Sequence, residues 1–291
     1  MLASVAAVLL SSAPAAACST CGCGDPTLTT LGAEKPYPWR VRAALGAQGR
    51  TDAVGREGID QVKLRELRTD AYLAVAPSSR LFLQLGVPLV TRSVETVSGA
   101  KSNATGLGDI ELRVKPFVWQ DREFAPRHLL AFLGGLKIPT ASRQRGRDGA
   151  LLPVEVQPGT GSLDPILGAS YAFFALPWSV YASLTFTAPA WSRDELRASP
   201  SLRTATVLQY QVVPALAFRA GLDTRVDGKA YESGVASRDS GGVIAFASPE
   251  VVVSPHPDWL LALAVRIPFA NALVGAHTEG PLLAFTVAHD F

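Results

Sequence analysis

The chain has 291 residues, of which 48% are apolar and 18% charged, and its net charge at neutral pH is +2. Mean hydropathy is +0.20, yet every apolar run is shorter than the roughly 20 residues that a membrane-spanning helix needs. These values exclude a bundle of membrane helices, and so small a charge gives no support for nucleic acid as a partner. The 25 glycines and 21 prolines favour many strands joined by turns.

The first 17 residues have the composition of an export signal. Leu2–Leu10 is almost wholly apolar, and Ala15–Ala17 offers the small side chains that a signal peptidase accepts. No Lys or Arg precedes this apolar core, which a start codon placed too far downstream would explain. We therefore predict a signal peptide over 1–17, a Cys-containing periplasmic segment over 18–38 and a β-barrel over 39–291.

Three cysteines follow the predicted cleavage site directly: Cys18, Cys21 and Cys23. The oxidising periplasm favours a disulfide from Cys18 to one of the others, which leaves one cysteine over. Lipidation of Cys18 is a second interpretation, although Ala15 stands where lipoprotein signals usually have leucine. Binding of Cu(I) or Zn(II) by the three thiolates ranks behind both, because no fourth ligand is nearby. No cofactor is expected, and one role for residues 18–38 is to plug the periplasmic mouth of the barrel.

From Trp39 onwards, apolar and polar residues alternate with a period of two, as in strands that have one apolar face. Most of the segments are longer than the five or six residues or so of a soluble strand and match the about nine to eleven that cross a bilayer at a tilt. We predict an all-β fold, a transmembrane antiparallel up-and-down β-barrel of about twelve strands. The predicted strands are Arg40–Gln48, Leu64–Val75, Leu81–Arg92, Gly108–Trp119, Arg127–Ile138, Leu163–Phe174, Trp178–Pro189, Leu202–Val213, Ala215–Val226, Gly242–Ser254, Trp259–Phe269 and Gly280–Phe291.

Short connections alternate with long polar ones along the chain. Short periplasmic turns and long external loops are typical of barrels in the outer membrane of Gram-negative bacteria, which is where we place the protein. The predicted short turns are Ala76–Ser79, Asp121–Pro126, Ala175–Pro177, Val213-Pro214 and Pro255–Asp258. The predicted long loops are Gly49–Lys63, Ser93–Leu107, Thr140–Ser162, Ala190–Ser201, Asp227–Gly241 and Ala270–Glu279.

The last predicted strand ends in an aromatic residue, Phe291. Every second residue before it is Leu283, Phe285, Val287 and, less usually, His289. This ending resembles the signature that outer-membrane barrels present to their assembly machinery, so we expect that machinery as a partner. The five tryptophans fall at or beyond predicted strand ends, as in the aromatic girdles that mark the two membrane interfaces. They are Trp39, Trp119, Trp178, Trp191 and Trp259.

Three glycine-containing motifs carry a family resemblance: Thr105–Ile110, Gly135–Thr140, and Pro158–Ser162 followed by Leu167–Tyr171. Over residues 105–175 the chain resembles the bacterial outer-membrane transporter family named for phenol degradation by the meta pathway, which is related in style to the long-chain fatty-acid transporters. The resemblance implies an outer-membrane channel for small solutes, apolar or aromatic compounds among them. The same residues also have a structural interpretation, in which Gly106 and Gly108 adopt positive φ where a loop enters a strand.

If the apolar rows face lipid, the polar rows face the lumen. Mixed charges with an excess of arginine predict mainly ion pairs across the interior, or otherwise a narrow passage for anionic or polar solutes. Twelve strands lie between filled eight-stranded barrels and open channels of about 16–18 strands, so we predict a small, gated or partly plugged pore. The predicted pore-lining residues are Arg68, Asp70, Asp109, Glu111, Arg113, Lys115, Arg219, Asp223, Arg225, Glu250 and Arg266. The same inward rows also contain Arg40, Arg42, Arg92, Lys137, Asp164 and Arg203.

Some outer-membrane barrels are hydrolases, which need a serine or acid beside a histidine near one rim. Of His128, His256, His277 and His289, only His277 falls on the long-loop side, with no serine at a useful spacing. Hydrolase, zinc-protease and phosphate-loop motifs are missing from the sequence. We therefore predict no enzymatic activity, with outer-membrane lipid and a small solute as partners. A structural barrel that transports nothing is the alternative.

Overall fold

The computed structural model of the chain describes residues 37–59, 61–152, 154–192, 196–232, 234–236 and 240–291. The predicted signal peptide and the three cysteines lie outside the described residues. No helix among the described residues is long and apolar enough to cross a membrane. The strands are β1 Val41–Val54, β2 Val62–Ser78, β3 Leu81–Thr96, β4 Lys101–Leu107, β5 Ile110–Gln120, β6 His128–Ile138, β7 Ser162–Ala175, β8 Trp178–Thr187, β9 Trp191–Ser192, β10 Leu196–Arg197, β11 Ser201–Val213, β12 Leu216–Asp227, β13 Tyr231–Glu232, β14 Val235–Ala236, β15 Gly242–Val253, β16 Trp259–Leu273, β17 His277–Glu279 and β18 Leu282–Asp290, with one 3-10 turn at Val154–Val156.

Within the described residues, twelve antiparallel strands form one closed barrel. They pair in the order β1-β2-β3-β5-β6-β7-β8-β11-β12-β15-β16-β18, and β18 returns to β1, where Asp290 is opposite Arg42. β4 continues β5 along β3, and β17 continues β18 along β1. The remaining short strands lie in the long connections, where β10, β13 and β14 form a small separate sheet. The predicted up-and-down barrel is confirmed.

Two of the predicted long loops, Gly49–Lys63 and Ser93–Leu107, are mostly strand. β1 and β2 stay paired as far as Val54 and Val62, and β3 and β4 as far as Glu95 and Lys101. Both hairpins extend beyond the apolar part of the wall. Their outward residues there, such as Lys63, Arg65, Lys101 and Asn103, are polar and exposed, so the apolar outward row that marks the other strands is lost. Cross-strand pairing still satisfies their backbone N–H and C=O groups, which is why the strands continue.

The outer surface of the barrel is apolar along most strands. On β16, Trp259, Leu263 and Phe269 are exposed whereas Leu260 and Ala262 are buried, as the alternation predicted. Every long wall strand repeats this arrangement, and β2 and β8 have 17 and 10 residues, which is enough to cross a bilayer. A continuous exposed apolar band of this kind would be a liability in water, and it fits a hydrocarbon environment.

The inside of the barrel is filled with apolar side chains at the end that carries the short turns. One cluster contains Phe82, Phe117, Leu129 and Tyr181. Leu260 packs in a second cluster with small residues of β1, β12, β15 and β18. All of these residues belong to the inward rows, so side chains of the wall itself pack together inside the barrel at the short-turn end.

Candidate solute pathway

All of the predicted pore-lining residues lie on the inward face of the wall or at its breaks, and none of them is exposed. The structure joins most of them in ion pairs within one strand, between neighbouring strands or, for Arg266 and Asp223, across the intervening strand β15. Arg68 lies 2.8 Å from Asp70, Arg113 2.6 Å from Glu111, Arg219 2.6 Å from Glu250, and Arg266 3.5 Å from Asp223. Lys115 lies 5.3 Å above the centre of the Phe117 ring. Their position inside the barrel is thus clear, while their part in conduction stays a prediction.

A network on β1, β2 and β3 was only partly anticipated from the sequence. Glu66 accepts hydrogen bonds from Arg50 at 3.1 Å and from Arg92 at 2.6 Å, and Arg50 also pairs with Asp52. Arg50 and Asp52 were missed because Gly49–Lys63 was assigned to a loop. The signal was present, since both continue the even-numbered inward row that begins with Arg40 and Arg42.

A second network lies across the barrel on β12 and β17. Arg225 donates to Asp227 at 2.6 Å and forms a two-point pair with Glu279. Ser248 on β15 donates to Asp223, the carboxylate that faces Arg266. Glu279 was predicted to lie in a loop, and only the closure of the barrel through β17 brings it to Arg225.

The glycine motif around Asp109 lies where β4 ends and β5 begins, and the hydrogen bonds to the Asp109 carboxylate form what we call the latch. The Asp109 carboxylate is buried, and it accepts hydrogen bonds from the backbone N–H groups of Ala141, Thr160 and Gly161 at 3.2, 2.7 and 3.3 Å. The Thr160 hydroxyl donates to the same carboxylate at 3.1 Å. Because the break separates β4 from β5, Asp109 fastens both ends of the long 139–161 connection to the wall.

The glycines of this motif serve close packing, and the expectation of positive φ at Gly106 and Gly108 is wrong, since neither is among the positive-φ glycines. A Cβ on Gly108 would lie 2.9 Å from Pro88 Cγ and 3.0 Å from Pro158 O. A Cβ on Gly159 would lie 2.4 Å from the Ala141 Cβ. The motif therefore selects glycine for space where the connection meets the wall, and only Gly161 has a positive φ, of 68°.

The 139–161 connection folds against the inner wall at the end opposite the short turns. Val156 is fully buried with Val94 and Ala104, which are inward residues of β3 and β4. Arg92 donates to the Gln157 carbonyl at 2.6 Å and so joins the connection to the Glu66 network. This loop narrows the mouth of the barrel on the side of β2 to β4.

The predicted metal ligands Cys18, Cys21 and Cys23 are outside the described residues. Among the residues that the structure describes, no group of three His, Cys, Asp or Glu side chains is arranged to hold a metal ion. Metal binding by the cysteine segment therefore stays a prediction.

Comparison with known proteins decides the family. The family model described as "Putative MetA-pathway of phenol degradation" matches residues 46–272. The chain belongs to this family. The family model spans β1 to β16, well beyond the 105–175 segment that carried the resemblance in sequence.

Several solved structures have the same fold as this chain. An outer-membrane channel from Pseudomonas putida F1, of the group called COG4313, superposes with a TM-score of 0.69 at 16% identity, covering 89% of this chain and 97% of that one. A TodX deletion mutant described as a monoaromatic hydrocarbon channel gives 0.50 at 10% identity, covering 94% and 95%. These likenesses show the barrel fold. A search among curated proteins found no match.

Proposed function

We propose that this chain is an outer-membrane channel for small solutes, apolar or aromatic compounds among them. The observation that carries the proposal is a closed barrel with an apolar exterior, strands long enough to cross a bilayer, and an interior that carries charged and hydroxyl side chains beyond the apolar clusters at the short-turn end. Such an interior is costly for a protein that only needs to be stable, because charges inside a barrel lose hydration. A route for solutes gives these charges a use.

The choice of solute rests on the family to which the chain belongs and on a structure that shares its fold. The family is described by phenol degradation, and one structure of the same fold is described as a monoaromatic hydrocarbon channel. Both descriptions belong to those proteins, and they make phenol and toluene the first compounds to test. The apolar cluster around Phe82 and Tyr181 offers an aromatic lining on the way to the periplasm.

Catalysis is not part of the proposal. In the described part of the chain, His128 contacts Tyr171, His256 and His289 contact Asp258, and His277 lies 3.7 Å from Glu279. None of these contacts is with a serine, as a hydrolase would require. Assembly through the last strand is a further expectation: Phe291 is exposed, and Leu283 and Phe285 lie on the same outward row.

The experiment is reconstitution of the full chain into planar lipid bilayers, with single-channel recording, together with fractionation of cells to place it in the outer membrane. We expect discrete conductance steps, and faster uptake of phenol into proteoliposomes than into empty ones. The control is the same protein preparation added after unfolding, which does not insert. A folded, inserted barrel that gives neither steps nor uptake would leave the structural barrel as the function.

A further inference from the structure

Arg203 differs from the other charged residues of the barrel interior. It lies on β11 in the same inward row as the buried Ala205 and Val207, and it is opposite Thr185 on β8 and Arg225 on β12. Although this row points into the barrel, the Arg203 side chain is exposed. An inward side chain can be exposed because the space that it faces is the lumen.

Within the described residues, the Arg203 side chain has neither an ion pair nor a hydrogen bond. The nearby charges are those of Arg225, Asp227, Glu111 and Arg266. Both carboxylates are already engaged, Asp227 by Arg225 and Glu111 by Arg113. A guanidinium inside a barrel without a carboxylate partner is unfavourable unless water or a ligand meets its donors.

A second guanidinium in the same region is also unsatisfied. The buried Nε of Arg266 has no hydrogen-bond partner among the described residues. Its nearest carboxylate, Asp223, is 3.5 Å away and already accepts a hydrogen bond from Ser248. The Arg266 side chain is 20% exposed. Together with Arg203 it brings positive charge to one region of the lumen, which favours an anion, and planar guanidinium groups match a carboxylate.

An aromatic side chain lies beside these arginines. Phe246 is on the inward row of β15, opposite Asp223 on β12 and Pro268 on β16, so it lies between the strands of Arg225 and Arg266. Its side chain is half-buried. On the other flank of Arg203, β8 presents the hydroxyls of Thr185 and Ser183. The surroundings therefore combine positive charge, small hydroxyls and one apolar ring.

We propose that Arg203, Arg266 and Phe246 form a binding site in the lumen for small organic anions that carry a carboxylate on an apolar or aromatic body. The site rests on the proposed channel function, because it lies in the lumen through which solutes would pass, and it extends that function from apolar compounds to their acids. The two arginines bind the carboxylate, and Phe246 contacts the body of the solute.

The test is calorimetric titration of the detergent-solubilised full chain with benzoate, acetate and benzyl alcohol. Arg203→Gln removes the charge, and Arg65→Gln is the matched control, because Arg65 is an exposed arginine on the outward row of β2. We expect Arg203→Gln to weaken benzoate binding about tenfold or more, since a charge-assisted contact is lost. Arg65→Gln should bind benzoate like the wild type. Phe246→Ala should weaken binding of benzoate but not of acetate.

Bilayer recordings in a potassium benzoate gradient separate this site from the channel itself. We expect Arg203→Gln to lower the permeability ratio of benzoate to potassium several-fold, with Arg203→Lys in between. Equal benzoate affinity in Arg203→Gln and wild type, or no benzoate binding by the wild type, would overturn the site even if the channel conducts. Benzoate binding that depends on Arg203 in a barrel that does not conduct would support the site and refute the channel. Heat-modifiable migration on gels verifies that each variant has folded.

Discussion

Arg219 on β12 and Glu250 on β15 are direct cross-strand neighbours whose Nη1 and Oε1 atoms lie 2.6 Å apart. The Arg219 side chain is 0% exposed and that of Glu250 is 5% exposed. Gln209 accepts a further hydrogen bond from Arg219 at 2.7 Å, and the guanidinium lies 5.9 Å from the centre of the Tyr181 ring. This pair therefore lies at the edge of the apolar cluster rather than in an open passage, unlike Arg203.

Loss of one partner should destabilise the barrel strongly. Glu250→Gln leaves the buried Arg219 charge without its counter-ion, and removal of one partner of a buried pair costs about 3–5 kcal/mol. Replacing both residues, Arg219→Met with Glu250→Met, should cost less than the single change. Urea unfolding of the barrel in lipid vesicles measures both free energies.

The control is the exposed pair of Lys101 and Glu95, 3.5 Å apart with side chains 63% and 41% exposed. Glu95→Gln should change stability by about 1 kcal/mol or less, because solvent screens exposed pairs. Equal effects of Glu95→Gln and Glu250→Gln would contradict the burial argument. Charge reversal by Arg219→Glu should impair folding rather than only change the ion selectivity of the channel, since it places a second carboxylate against Glu250.

Removal of the Asp109 carboxylate should release the 139–161 connection. Asp109→Ala leaves three backbone N–H groups without their acceptor, and Gly159→Ala places a methyl group against Ala141. We expect faster trypsin cleavage at the exposed Arg143, Arg145 and Arg147 in the folded barrel. The measurement is the time course of limited proteolysis.

Asp121→Ala is the matched control for the latch. Asp121 also accepts backbone hydrogen bonds, from Arg127 and His128, but it lies in a short turn at the other end of the barrel. Its substitution should leave cleavage of the 139–161 connection unchanged. If Asp109→Ala cleaves no faster than Asp121→Ala, the latch does not hold the loop.

Removal of one ring from the cluster that contains Phe82 and Phe117 should widen the lumen at the short-turn end. Phe82 is fully buried, with its ring centre 6.3 Å from that of Phe117. Phe82→Ala removes a ring from the periplasmic cluster, and we expect larger single-channel conductance. Phe285→Ala removes an identical ring from the lipid-facing row, where Phe285 is 45% exposed, and should leave conductance unchanged. An unchanged conductance in Phe82→Ala would mean that this cluster does not limit the path.

The Asp121 carboxyl group should titrate at a lower pH than an ordinary aspartate. Backbone N–H groups of His128 and Arg127 stabilise the ionised carboxylate and lower the pKa of Asp121. At pH values above about 3.9, the pKa of an aspartate in the unfolded chain, the ionised carboxylate stabilises the folded turn. This stabilisation is lost as the pH falls through the lower pKa of Asp121 in the folded protein. NMR titration of the His128 amide should show that midpoint, and Asp121→Asn should abolish it. A midpoint at or above the ordinary value would contradict the turn geometry.

Much of the wall followed from local alternation. The predicted bounds of one strand, Leu202–Val213, differ by a single residue from those of β11, Ser201–Val213. Such agreement is possible because a period of two is visible in any window of a few residues. The hairpin within Gly49–Lys63 was mistaken for a loop, since strands that extend beyond the bilayer have no apolar outward row to reveal them. The positive φ expected at Gly106 and Gly108 was wrong because a glycine chosen for space and one chosen for conformation look alike in sequence.

The sequence by itself determined the number of strands, their faces and the inward charges, because each depends on neighbours along one strand. Only the tertiary structure decided which charges are paired. Arg225 meets Glu279 because the barrel closes. Among the described residues, the Arg203 side chain has no ion-pair partner, because the nearby carboxylates of Asp227 and Glu111 pair with Arg225 and Arg113. The apolar packing inside the short-turn end could not be read from the sequence either, since inward residues such as Ala217 and Leu260 form a cluster only when several strands bring them together.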